Sequence, residues 1–324
     1  MRLSVIVVTL RAGESLLACL ASIGRALQRV DVATEIVLID NGAPAEAIAA
    51  LRARFPAVRV LGLGRNQGFA EAINHGLQAT NGEWLLLLND DTTTEPDAVA
   101  ELLHAAQDRP RVGSLAAQLR FARGGAINSA GIGVDRLGVA FDRHVGELPE
   151  RSERVPTEVF GASAGAALMR RAMLEQIGGF DGSFFLYGED VDVAWRAQMA
   201  GWSCIYVPAA VVHHHHSASS VHGSAWKHAH VGRNRVRLLA KHLPTAHLVR
   251  YGAAIAAYDV AYIVVAGLSD RTLAPLSGRL RGLREWRRYR RLGRDRRPVA
   301  LAAVQGPRGA LARRRAFSDR SYRP

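Results

Sequence analysis

Glu189, Asp190 and Asp192 follow directly on the aromatic and apolar run Phe184-Phe185-Leu186-Tyr187-Gly188. Carboxylates crowded beside apolar neighbours lose hydration and repel one another. Both effects raise the pKa of one of them toward the range useful to a general base. The same residues also suit the acidic N-terminus of a helix, and the two uses are compatible. Far upstream, the run Trp84 to Leu88 ends abruptly in Asn89, Asp90 and Asp91. Hard oxygen ligands at such a point suit Mg²⁺ or Mn²⁺ carrying a phosphate. Their plainer use would be to cap a turn or the helix beyond Thr92–Thr94 and Pro96. A third group is His213-His214-His215-His216, whose internal position makes a purification tag a poor explanation. An imidazole beside Asp91 would complete a divalent-metal site of more Mn²⁺-like character; an incidental surface run is the alternative.

The segments that must position these groups alternate in type. Leu3–Thr9, Glu35–Asp40, Val58–Leu63 and Trp84–Leu88 are short apolar runs with the composition of buried strands. Between them, Ser15–Gln28, Ala45–Phe55 and Phe69–Ala79 have helical spacing or composition. This β-α-β-α-β-α-β rhythm predicts an α/β fold with a doubly wound, mostly parallel sheet and right-handed crossovers. In such sheets ligands collect at the carboxyl ends of strands, which is where Thr9, Asp40 and Asp91 fall. From Gly113 to Val159 the pattern loosens into glycine-punctuated pieces, read as short strands and loops of a lid or insertion. Order returns with a helix near Arg171–Ile177, a helix from Glu189 to Ala200 and a strand over Ser203–Val207 before Pro208.

The 324 residues are 48% hydrophobic and 22% charged, as in ordinary globular proteins. Met1-Arg2 leads straight into the first strand, so no secretory leader is expected. Cys19 and Cys204 fit no metal spacing and read as buried thiols in a reducing compartment. The net charge of +13 is unevenly spread: residues 231–324 carry 22 Lys/Arg against 5 Asp/Glu, leaving residues 1–230 at −4. A basic C-terminal third of this kind points to a polyanion, either an anionic membrane surface or a nucleic acid. Tyr251–Leu268 is apolar but interrupted by Asp259, which favours a surface-lying or packed helix over a bilayer span. Arg279–Arg297 interleaves arginines with Leu280, Leu283, Trp286, Tyr289 and Leu292, read as one apolar face for interfacial binding or for packing on the body. Residues 307–324 are expected to be a disordered tail. Neither a Gly-x-Gly-x-x-Gly turn nor a Walker-type loop follows the first strand, which argues against a dehydrogenase or P-loop enzyme.

Taken in order, these segments resemble the inverting family 2 glycosyltransferases of the GT-A fold, and within them the bacterial rhamnosyltransferase-like branch. The resemblance spans about residues 3–242. It rests on Leu3-Ser-Val-Ile-Val-Val-Thr9, Val37-Leu-Ile-Asp-Asn41, Asn66-Gln-Gly-Phe-Ala-Glu-Ala-Ile-Asn74, Leu88-Asn-Asp-Asp-Thr92 and Gly178 to Asp192. Where the family often has Thr-Tyr-Asn after the first strand, this chain has Thr9-Leu10-Arg11.

The resemblance implies a metal-dependent transfer of sugar from a nucleoside-diphosphate donor to a glycan or lipid-linked glycan, in the synthesis of a cell-surface polysaccharide. It implies Asp190 as the catalytic base, and Asp91 with His214 at a Mg²⁺ or Mn²⁺ ion. Thr9, Asp40, Asn66, Gly68, Asn74, Asn89 and Asp90 would line the nucleotide-sugar site, and Glu189, Asp192 and Arg196 would support it on the acceptor side. The donor it favours is dTDP-rhamnose, with a UDP-hexose as the alternative. The expected organisation is a GT-A domain over residues 1–242, with a nucleotide-sugar half (1–112) and an acceptor half (113–242). A basic amphipathic helical extension follows over 243–306. Such an enzyme would be cytoplasmic, peripheral on the inner face of the cell membrane, with no nucleic acid as partner. The rival from another class is a basic nucleic-acid-binding protein, but the mildly acidic body would repel a polyanion.

Overall fold

A computed structural model describes residues 1–215, 224–293 and 297–305. The expected alternation is present: β1 (Arg2–Thr9), α1 (Glu14–Leu27), β2 (Ala33–Asp40), α2 (Ala45–Arg54), β3 (Arg59–Gly62), α3 (Phe69–Ala79) and β4 (Trp84–Asn89). β4, β1, β2 and β3 lie side by side in that order, all parallel. Leu85–Leu88 are buried on both faces of the sheet, which is why this stretch is continuously apolar rather than alternating.

The chain then adds β5 (Thr92–Thr94), α4 (Ala98–Ala106), β6 (Val112–Phe121), β7 (Ile127–Ser129), β8 (Ile132–Val134), β9 (Ala140–Asp142), β10 (Thr157–Val159) and β11 (Ala166–Arg170). It continues through α5 (Arg171–Ile177), α6 (Glu189–Met199) and β12 (Ser203–His214). The sheet order is β10-β12-β6-β11-β4-β1-β2-β3, with β11 antiparallel to both β4 and β6.

Two elements depart from the sequence reading. β6 is a ten-residue strand near the middle of the sheet, not a loose insertion. Its Gly113, Ser114, Ala116, Ala117 and Gln118 lack the β-branched signature, and tertiary packing decides their conformation. β12 also does not stop at Pro208. A register shift between Val207 and Val211 absorbs the proline, and the strand runs on to His214 beside Phe121 and Thr92.

Three helices close the described chain: α7 (Ala225–His242), α8 (Thr245–Ser269) and α9 (Ala274–Leu292). α9 lies against α7 through glycines. A Cβ on Gly282 would come within 2.7 Å of Val236, and one on Gly278 would collide with the Ala229 backbone. Glu285 of α9 pairs with Arg233 and Arg237 of α7, the latter at 2.7 Å. The single apolar face read for this helix is not there. Residues three apart step backwards around a 3.6-residue helix, so the set wraps around it. Tyr289 is fully buried, while Leu280, Leu283 and Leu292 are about half exposed. The tail from Pro307 lies outside the described residues, and both cysteines are buried free thiols.

Candidate active site

The strand β4 leaves the sheet at Asn89, whose N–H donates to the Gly165 carbonyl at 3.0 Å. One residue earlier, the Ala164 N–H points at Asp190 Oδ2, 3.5 Å away. The segment Ser163–Gly165 therefore joins the acidic end of β4 to the acidic start of α6. These two groups, remote in sequence, meet at the carboxyl end of the parallel strands, where open α/β sheets bind ligands.

On the β4 side, Asp91 is almost fully buried and its Oδ1 stands 3.1 Å from His214 Nε2. His214 Nδ1 is 2.8 Å from Asn128 Oδ1. An amide oxygen only accepts, so Nδ1 carries a proton, and Nε2 faces the carboxylate with either a second proton or a lone pair. A carboxylate oxygen and an imidazole nitrogen so close, with the far nitrogen pinned by hydrogen bonding, fit two adjacent ligands of one divalent cation. Among the described residues no third His, Cys, Asp or Glu joins them in a protein-only cage. That also suits a cation completed by phosphate oxygens and water.

The alternation of a strand explains why His214 is the histidine in this position. His213 Nε2 reaches Glu95 at 2.9 Å and His215 Nε2 reaches Thr93 Oγ1 at 3.1 Å, so the neighbours of His214 are engaged elsewhere. His216 lies outside the described residues. Asp90 accepts a 2.7 Å hydrogen bond from Thr9 Oγ1. Burial raises its carboxyl to about 6, against that hydrogen bond and with Asp91 adding repulsion. Asp90 and Thr9 thus hold the ends of β4 and β1 together.

The remaining strand-end residues form an interlocked turn. Asp40 Oδ1 accepts from the N–H groups of Gly42 and Ala43, at 3.1 and 2.7 Å. Asn41 Oδ1 accepts from Gln67 N–H, and its amide donates to Asn66 Oδ1 and the Gly68 carbonyl. Asn66 Oδ1 also takes the Gly68 N–H at 2.9 Å. Gly68 has φ +87°, and a Cβ there would strike the Phe185 ring, so the position needs glycine. Asn74 commits its amide to both backbone groups of Phe180, at 2.8 and 2.9 Å. That places Asn74 as a clamp between α3 and the segment before α6.

On the α6 side the three carboxylates part company. Asp190 Oδ1 accepts from Val191 N–H at 2.8 Å at the start of the helix. The atoms packed round its carboxyl raise its pKa, partly offset by backbone hydrogen bonds from Val191 and Ala164. Glu189 is buried, with one carboxyl oxygen lacking a hydrogen-bond partner. Burial, then repulsion from Asp190, lifts it to about 8, so it is mostly protonated at neutral pH. Asp192 is fully buried between two cations and an imidazole: Arg196 Nη2 at 2.7 Å, Lys241 Nζ at 2.7 Å and His242 Nε2 at 2.7 Å. Burial would raise its pKa, but Arg196, the His242 hydrogen bond and Lys241 drive it far below the usual carboxylate range. Asp192 and Arg196 therefore build the site rather than face it.

Two further charged groups gave no signal in the sequence. Asp142, at the end of β9, sits within electrostatic reach of Asp190, His214 and Lys227, and burial pushes it to about 6 against a hydrogen bond from Ser129. Burial lowers Lys227, at the start of α7, to about 8, with Asp142 opposing. Only the folded chain brings these residues, so distant in sequence, together.

The arrangement offers a carboxylate base at a helix N-terminus, a carboxylate–imidazole pair suited to a cation, and a strand-end turn rich in polar groups. Residues 4–178 match the family described as Glycosyl transferase family 2. An N-acetylglucosaminyl-diphospho-decaprenol L-rhamnosyltransferase of Mycobacterium tuberculosis is 34% identical over 233 residues, 65% of this chain and 75% of that protein. The O-antigen biosynthesis protein RfbC of Myxococcus xanthus is 30% identical over 52% of this chain and 14% of its own length. Among solved structures, GalNAc-T7 with UDP, GalNAc and Mn²⁺ superposes with a TM-score of 0.63 at 18% identity, over 78% of this chain and 50% of that one. The mannosyltransferase PcManGT of Pyrobaculum calidifontis, in complex with GDP-Man and Mn²⁺, gives 0.54 at 18% identity over 87% of each chain. The fold is therefore GT-A, and the chain belongs to glycosyltransferase family 2, as a glycosyltransferase that draws on a nucleotide-sugar donor.

Proposed function

We propose that the enzyme transfers rhamnose from dTDP-rhamnose, with inversion, to a hydroxyl of a lipid-linked glycan. The observation that carries this reading is the link from Asp190 through Ser163–Gly165 to Asn89, at the end of β4 two residues before the Asp91–His214 pair. Asp190, a carboxylate with a raised pKa, takes the proton of the acceptor hydroxyl. The acceptor oxygen forms its bond to the anomeric carbon as the bond from that carbon to the diphosphate breaks, and the electron pair leaves with the diphosphate. A Mg²⁺ or Mn²⁺ ion held by Asp91 and His214 would supply charge neutralisation for that leaving group. Asp40, Asn66 and Gly68 shape the turn that receives the nucleotide, and Asn89 and Asp90 border the diphosphate. Rhamnose and a lipid-linked acceptor are supported by the substrates in the name of the mycobacterial relative.

Thermal-shift measurements with a panel of nucleotide sugars, with and without Mn²⁺, test donor and metal together. dTDP-rhamnose with Mn²⁺ should stabilise the wild type by about 2–3 kcal/mol near a hundredfold excess over Kd. Most of that gain should vanish in Asp91→Ala. A shift with a UDP-hexose instead would reassign the donor, and no shift with any sugar nucleotide would sink the reading.

A lipid-linked acceptor requires work at a membrane, and we propose a peripheral position on its cytoplasmic face through the C-terminal region. α8 is long and apolar, yet only 11% of its most apolar window is buried. Val249 and Leu268 are about four-fifths exposed, and Val260 and Val264 more than half. Asp259 of α8 binds Arg235 at 2.7 Å and Arg279 at 2.8 Å, which holds the helix on the body with its outer valines free. Its apolar face beside the arginines of α9 suits an anionic interface. In vesicle flotation, full-length Val260→Asp/Val264→Asp should lose most binding to anionic vesicles. Binding equal to wild type would remove α8 from this role.

A further inference from the structure

The turn that delivers Asp190 carries aromatic side chains that the core does not use. Phe184 points inward, against Tyr289. Tyr187 instead meets Trp226 edge-on at 6.1 Å, and Trp226 lies against His230 one helical turn along α7, with ring centroids 3.9 Å apart. Phe185 stands 6.2 Å from His230 and closes the back of the cluster against Gly68. Trp226 is 46% exposed. Lys227, whose Nζ is 5.2 Å from the centre of the Tyr187 ring, also feels Asp142, and Asp142 in turn feels Asp190.

The backbone beneath the ledge is held in an unfavourable shape. Phe185 has φ +63° and Tyr187 φ +70°, a region that bulky L-residues avoid. Asn234 keeps them there, its amide within 2.7–3.0 Å of the carbonyls of Phe184, Leu186 and Tyr187. The Phe69 N–H adds a 2.7 Å hydrogen bond to the Phe185 carbonyl. Strain held by the two N–H groups of the Asn234 amide, shared among three carbonyls, and by the Phe69 N–H lies in a turn that ends three residues before Asp190, and strain of this kind clusters at functional sites.

We propose that Tyr187, Trp226 and His230 form the acceptor subsite, an aromatic ledge that packs the apolar face of the acceptor's sugar ring while Lys227 and Asp142 meet its polar edge. This assignment rests on the glycosyl-transfer reading above. A pyranose presents C–H groups on one face and hydroxyls around its rim, which matches an exposed indole beside a charged pair. Phe185, at the back of this cluster, packs against Gly68 of the nucleotide turn, so the ledge adjoins the turn that leads into Asp190.

Initial rates of the full chain with dTDP-rhamnose test this, using N-acetylglucosaminyl-diphospho-decaprenol and a water-soluble analogue with a short alkyl chain. Trp226→Ala should raise the KM for both acceptors roughly tenfold, leave the KM for donor in place, and be largely rescued by Trp226→Phe. An unchanged acceptor KM in Trp226→Ala overturns the ledge. A rise confined to the decaprenyl acceptor overturns the sugar-ring assignment, because it puts the isoprenoid on the indole. Absence of transfer by the wild type with every nucleotide sugar sinks the functional reading and the ledge with it, an outcome distinct from transfer with an unmoved KM.

Discussion

Asp190→Asn should abolish sugar transfer while leaving nucleotide-sugar binding in place. The amide preserves the shape of the group and can still accept from Val191 N–H, but it cannot take a proton. General-base catalysis accounts for about 10²–10⁴ in rate, and kcat should fall by at least that factor. The thermal shift produced by donor and Mn²⁺ should survive, which separates loss of chemistry from loss of fold. The pH profile adds a second readout. Burial raises the pKa of Asp190, and only its ionised form is a base, so wild-type kcat/KM should climb as pH rises through that pKa. Burial and repulsion from Asp190 also raise Glu189, so its own charge is suppressed over the same acid range. The residual rate of the variant should lack the acid limb. Full activity in Asp190→Asn would remove this residue from the role.

Asp192→Asn should be the most damaging single change to stability, although the residue touches no substrate. Its carboxylate is the common partner of Arg196, Lys241 and His242, and it is fully buried. Removing its charge leaves the buried Arg196 without its ionic partner and Lys241 with Asp181 alone, at a cost of about 3–5 kcal/mol. Chemical denaturation should show that loss at neutral pH. The sign of the pH dependence follows from the depressed pKa. The stabilisation is fully present above the ordinary carboxylate range and is lost only as pH falls through the much lower folded value. The gap between wild type and variant should therefore persist at pH 5 and close only in strong acid. A variant as stable as the wild type would show that Asp192 is not the hub of α6 and α7.

Much of the first half of the fold is legible because its physics is local. Val5–Val8 and Leu85–Leu88 are covered on both faces, so their burial is written as unbroken apolar runs, and Asp91 marks where the cover ends. β6 is covered as well, yet it achieves close packing with small residues that read as a loop. α9 hides its packing for the opposite reason. Its contact with α7 is made by glycines and paired arginines, so the visible leucines mark the outside. Within the site, Asp91, Asp190 and the run of histidines stand out by type. The resemblance singles out His214, and the register of β12 against β5 supplies the physical reason, whereas Asp142 and Trp226 required the tertiary fold itself.

The fastening of α9 to α7 sets the order in which a growing chain can become an enzyme. Asn234 fixes the turn before Asp190, and the helix bearing Asn234 is covered by Gly278, Gly282 and Glu285. Ser183 of the same turn shares a 2.6 Å hydrogen bond with the Tyr289 hydroxyl. During synthesis the parallel strands can pair early, but this turn lacks its last partners until Tyr289 has left the ribosome. A nascent chain stopped near residue 242 would hold every sheet strand and both acidic motifs without the buttress that aims one at the other.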